Sequence, residues 1–146
     1  MPIVRLPGGG SQDAITVTLR DVHVPDGVTI PAGTAVAVTT GDSGLEFALC
    51  GAGQNDHPHG FAGFALRTGN PNSLMTIITG RGSKVTPVVE GGGPMTPDTD
   101  VWLAITPGEV TQTLTYEDEQ VALRVGRAIS TTEMILLTDA RIVLGG

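Results

Sequence analysis

Aromatic side chains are scarce in this chain: one Trp, one Tyr and three Phe among 146 residues. That scarcity argues against sugar binding and against single-strand nucleic-acid binding, because both rest on stacking platforms. Cysteine is scarcer still. Cys50 stands alone, so no intrachain disulfide can form and a secreted disulfide scaffold is excluded. Positive charge is limited to eight Lys and Arg against 15 Asp and Glu; Lys84 is the one lysine, and the net charge is −7. Neutralising phosphates needs the opposite balance, so nucleic acid is not an expected partner. No apolar stretch approaches the ~20 residues of a membrane span, so a membrane is not expected either. The opening, MPIVRLPGGGSQD, lacks the long apolar core of a signal peptide, and synthesis in a cytoplasm is the expectation. A Walker A loop, a dinucleotide fingerprint and a zinc knuckle are all missing.

What the chain does have suits β-sheet. Twenty-one glycines and ten prolines punctuate a sequence rich in Thr and Val. β-Branched residues broken up in this way describe many short strands joined by turns. The length is that of one ordinary domain. Such a chain buries roughly 70% of its unfolded surface, so one core needs neither disulfides nor metal.

Period-two patterning marks the strands. Ile15, Val17 and Leu19 alternate with Thr16, Thr18 and Arg20, which predicts a half-buried strand. Val28 to Thr34 reads as a strand, a turn and a new start, continued by Val36 and Val38. Leu45, Phe47 and Leu49 form the next face, and Phe61 to Leu66 a further strand, followed by a turn at Gly69–Asn72. Leu74 to Thr79 and Lys84 to Val89 are expected to pair across Gly80–Gly82. Gly51–Gly60 and Glu90–Pro97 are polar or Gly/Pro-rich loops. Helical periodicity is weak everywhere; the one candidate is Tyr116 to Leu123. The expected fold is all-β: a single compact antiparallel β-barrel or sandwich over residues 14–146, with long Gly/Pro-rich loops. An extended N-terminal arm is expected over residues 1–13, where Ile3, Val4 and Leu6 precede a Pro-Gly-Gly-Gly-Ser joint.

Candidate chemistry is thin. Gly41-Asp42-Ser43-Gly44 matches the residues around a serine-protease nucleophile, but only His23 precedes it, and Asp-Ser-Gly between two β runs is ordinary turn chemistry. Asp56-His57-Pro58-His59 offers imidazoles two apart beside a carboxylate. A closed zinc site needs four ligands, however, and Cys50 is the only other strong candidate nearby, so no metal is expected. His23, between Val22 and Val24, reads as a surface strand residue. Asp98 with Asp100, and Glu117-Asp118-Glu119, are carboxylate clusters of the kind used in glycoside hydrolysis, without the aromatics that chemistry needs. Neither catalytic nor cofactor-binding residues are assigned, and an enzyme is not expected.

The last third is the most informative. Val101, Leu103 and Ile105 share a face and run into Thr106-Pro107-Gly108, which suits a type II turn. Val121, Leu123 and Val125 follow, then Gly126, a candidate bulge that would return Ile129 to the core. Met134-Ile135-Leu136-Leu137 is apolar on both faces, which suits a central strand or a subunit contact. A compact antiparallel meander is expected from Asp100 to Gly146.

This order of motifs resembles the small β-barrel decoration, or cement, proteins of tailed-phage capsids. The residues that carry the resemblance are Ile30-Pro31-Ala32-Gly33, Gly63-Phe64-Ala65-Leu66, the run Asp100–Thr111 and Val125-Gly126-Arg127-Ala128-Ile129, over about Thr29 to Gly146. The resemblance implies a structural virion protein made in the host cytoplasm. It would sit on the capsid exterior, bind the major capsid protein and itself, often as a homotrimer, and stabilise the expanded shell. Ile3, Val4, Leu6, Met134 and Leu136 are the candidate contact residues. The loop Gly51–Gly60 and the first 28 residues have no counterpart in that pattern. They leave a phage fibre, tail or receptor-binding module, reading through loops 51–60 and 90–97, as the alternative.

Overall fold

The computed structural model describes residues 15–41, 44–53, 60–114 and 120–144, and in the last stretch the side chains of 122–137. The expected arm, with Ile3, Val4 and Leu6, lies outside the described residues. In chain order the strands are β1 Thr16–Thr18, β2 Val22–His23, β3 Ala35–Gly41, β4 Gly44–Leu49, β5 Phe61–Ala65 and β6 Thr76–Ile78. They continue with β7 Lys84–Val85, β8 Asp100–Leu103, β9 Val110–Thr111, β10 Gln120–Ala128 and β11 Met134–Leu144. A 3-10 turn spans Glu90–Gly92.

The fold is all-β. A six-stranded sheet has the order β1-β6-β5-β3-β4-β2, and a five-stranded sheet the order β7-β11-β10-β8-β9. Every strand pair is antiparallel except β2 with β4. Neither sheet closes on itself, so of the two expected architectures the molecule adopts the sandwich-like one.

Alternation along the strands divides the core in two. Ala35, Ala37, Phe64 and Ile78 of the six-stranded sheet pack with Val101, Leu103, Val125, Met134 and Leu136 of the other. The intervening residues Val36, Ala65 and Ile77 face the opposite way. There they meet Val24, Ile30 and Met75, which cover the outer side of the same sheet. The middle of the six-stranded sheet is therefore buried on both faces, which is why Ala35, Val36 and Ala37 are all fully buried. Phe61 and Phe64 meet edge to face at 5.5 Å on the inner side.

Backbone hydrogen bonds stitch the sheets together at one end. The Ala35 N–H donates to the Gly108 carbonyl at 2.9 Å, and the Gly108 N–H to the Cys50 carbonyl at 2.8 Å. Gly108 has φ 87 and sits at the expected Pro-Gly turn, closed by the Glu109 N–H to the Thr106 carbonyl at 3.2 Å. Only glycine reaches that φ without strain.

Several expectations need correction. The segments around Leu74–Thr79 and Lys84–Val89 do not pair. β6 is already flanked by β1 and β5, so the chain leaves through Gly80–Gly82 and β7 joins β11 in the other sheet. The last third is antiparallel but not a meander. β9 lies on one side of β8, and its far edge is taken by Val88, whose carbonyl accepts from the Val110 N–H at 2.9 Å; β10 therefore returns to the free edge of β8. Gln120–Leu123, part of the helix candidate, belong to β10, while 116–119 lie outside the described residues. Ile15 and Val17 are 57% and 37% exposed, because β1 is an edge strand with little packed over it. The register of β10 does shift between Arg124 and Gly126, but Ala128 takes the inward position and Ile129 stays 42% exposed. Met134 and Leu136 are at most 1% exposed, because β11 runs between β7 and β10 with these two side chains in the intersheet core. Of the two readings of that apolar run, the central strand holds for them, and they do not form a contact surface.

Candidate interaction surface

The residues flagged for chemistry do not converge. Gly41 pairs with Gly44 to end the β3–β4 hairpin; Asp42 and Ser43 lie outside the described residues, as do Asp56, His57, His59 and Glu117–Glu119. Cys50 is buried. His23 lies in edge strand β2, its Nε2 3.6 Å from a carboxylate oxygen of Glu46 on β4. Asp98 occupies a turn at φ 64, whereas Asp100 is engaged by two arginines. No group of three His, Cys, Asp or Glu side chains with metal-binding geometry occurs among the described residues.

What the fold does assemble is the outward face of the five-stranded sheet. Val101 and Leu103 are buried, so Asp100 and Trp102 point away from the core. Register places Asp100 opposite Arg127, Arg127 opposite Ile135, and Ile135 opposite Lys84. One row across four strands thus reads Lys84, Ile135, Arg127, Asp100. A second row holds Arg124, Trp102 and Thr111. The Asp100 carboxylate lies 3.5 Å from both Arg124 and Arg127, which aligns the two guanidinium groups around it. Such partly exposed pairs contribute only about 0–1 kcal/mol each, so their main effect is to orient the arginines. Ile129 adds exposed apolar surface two residues beyond Arg127.

Sequence reading did not group these residues, because they come from positions 84 to 135 and only strand register brings them together. The available signal was parity. Lys84, Trp102 and Arg124 each sit between two inward-facing neighbours.

A second feature is a pair of adjoining depressions beside the 3-10 turn. One, of about 460 Å³, is lined by Thr86, Val88, Val89, Pro94, Thr131 and Thr132. The other, of about 380 Å³, shares Val89 and Pro94 and extends to Thr96, Thr111 and Gln112. Among the described residues the sole ionisable group in either wall is Glu90, whose carboxylate accepts from the Thr106 hydroxyl at 2.8 Å. Their described lining holds no acid–base pair.

No family model matches the sequence, and no curated protein matches it either.

Proposed function

We propose that the chain is a structural virion protein that decorates the exterior of a tailed-phage capsid and stabilises the expanded shell. The observation that supports this most is where the resembling motifs lie. The Pro31-Ala32-Gly33 turn leads directly into Thr34 and Ala35, and the Thr106-Pro107-Gly108 turn docks on those two residues. Ala35 bonds to Gly108, and a methyl on Gly108 would stand 3.3 Å from the Thr34 Cβ. Two motifs separated by about 75 residues thus build one junction, as a shared fold signature should. The all-β framework suits a rigid coat component, and closed symmetry would repeat its contact patch around a capsid axis as a trimer. The apolar arm, Ile3, Val4 and Leu6, would lie on a neighbour, and weak contacts from several subunits on one lattice add through effective concentration.

The test is co-sedimentation of the purified chain with expanded capsids, followed by heating. The full chain should bind and raise the temperature at which shells rupture. Removal of residues 1–10 should leave the domain folded and weaken attachment. Failure of the full chain to bind any capsid overturns the reading. The depressions beside loop 90–97 favour a second reading, a fibre or receptor-binding module; binding to host cells instead of capsids would establish it.

A further inference from the structure

We infer that the outward face of the five-stranded sheet, centred on Trp102 with Lys84, Arg124 and Arg127 around it, is the surface that meets the shell, and that it takes a carboxylate-bearing protein surface. This rests on the decoration reading and adds to it which face is used and what chemistry the partner must present. The chain has eight cations and a net charge of −7, yet three of those cations, including its one lysine, lie on two strands of this single face, β7 and β10. Lys84 and Arg127 stand two strands apart, about 10 Å at the usual strand spacing. Between them lies Ile135, and beside Arg124 lies the chain's one Trp. Trp and Arg are the residues most often found where a few side chains carry an interface.

Among the described residues the one carboxylate within the rows of this face is Asp100, already shared by two arginines, while Asp98, Glu109 and Glu133 stand at its margins. Within its rows the face is therefore positive, three cations to one carboxylate, in an acidic molecule. The same face of a second copy would set like charges against each other, so a two-fold contact through it is disfavoured. An acidic patch on the shell complements it, while the acidic remainder of the molecule is turned away from the shell. Complementarity of this kind fixes orientation and speeds encounter, and the apolar centre supplies the contact area.

The experiment is binding to expanded empty shells of the major capsid protein, with three charge reversals compared. Arg127→Glu and Lys84→Glu should each weaken binding at least tenfold. Arg67→Glu makes the same change in net charge at an exposed residue outside the face and should stay within twofold of the native chain. All three should unfold at nearly the native temperature. Zero-length carbodiimide coupling gives an independent measurement on the native chain. Since Lys84 is the only lysine, a cross-link from it to a shell-protein Asp or Glu reports this face directly. If Arg127→Glu and Lys84→Glu bind as well as Arg67→Glu, the inference is wrong while the decoration reading stands. Coupling of Lys84 only to a second copy also overturns it. If the native chain does not bind shells, the decoration reading itself has failed.

Discussion

Gln112 pairs with the backbone of Thr96 as though it were a neighbouring strand. Its Oε1 accepts from the Thr96 N–H at 2.7 Å, and its Nε2 donates to the Thr96 carbonyl at 2.9 Å. The same Nε2 reaches the Thr99 carbonyl at 3.4 Å. One side chain thereby fixes the Gly/Pro-rich loop 93–99 against β9 and shapes the wall of the depression beside it. At about 0.5–1.5 kcal/mol per hydrogen bond, Gln112→Ala should cost about 1–2 kcal/mol in urea denaturation. Hydrogen exchange at the Thr96 amide should rise more than at Ala35. Gln112→Glu should not rescue the loop, since a carboxylate cannot donate to the Thr96 carbonyl.

The junction at Gly108 predicts a contrast between glycines. Gly108→Ala puts a methyl 3.1 Å from Leu49 and forces φ 87 on a residue with a Cβ. That strain should cost about 1–3 kcal/mol. Gly93 has φ −82 and nothing within 4 Å of an added Cβ. Gly93→Ala should therefore be neutral or stabilising by about 0.4–1 kcal/mol. Thermal unfolding of the two variants should move in opposite directions or differ clearly in size.

Burial separates two aromatics that sequence alone ranks alike. Phe64 is fully buried between the sheets, and Phe64→Ala should destabilise by about 3–5 kcal/mol. Trp102 is only half-buried on the outward face, so Trp102→Phe should change stability by less than about 1 kcal/mol. Under the proposed docking, its effect should appear in shell binding instead.

Cys50 gives a probe of the fold's integrity. Its thiol is fully buried where the Gly108 N–H meets the Cys50 carbonyl. Reaction with an aromatic disulfide reagent should be negligible in the native protein and stoichiometric in denaturant. Rapid labelling of native Gly108→Ala would show that the junction opens locally.

Strands marked by strict alternation were legible in the sequence. Phe47 buried between less buried neighbours on β4, and the Pro107-Gly108 turn, follow from local chemistry alone. The topology was less legible, because it depends on which edge is still free. Nothing local to Ser83-Lys84-Val85 says that β6 has already spent both edges on β1 and β5. Nor does Asp100–Thr111 announce that Val88 covers the far edge of β9. The cluster of Lys84, Trp102, Arg124 and Arg127 was hidden for the same reason, since these residues are neighbours only once register is known. Ile129 shows how one shift within β10 reverses the inward or outward sense of everything after it.

The bond from Ala35 to Gly108 also sets an order of events during synthesis. A ribosome releases β3, β5 and β6 long before the turn at Gly108, and Met134 and Leu136 come later still. Until then Ala35, Ala37, Phe64 and Ile78 have no opposing sheet. Their apolar face is open to other nascent chains, and closing it requires contacts between distant parts of the sequence, which form slowly. A chain cut short before β10 cannot cover that face and should be lost to aggregation or proteolysis. Folding therefore selects for chains that include β10 and β11, since only these bring Val125, Met134 and Leu136 to the open face.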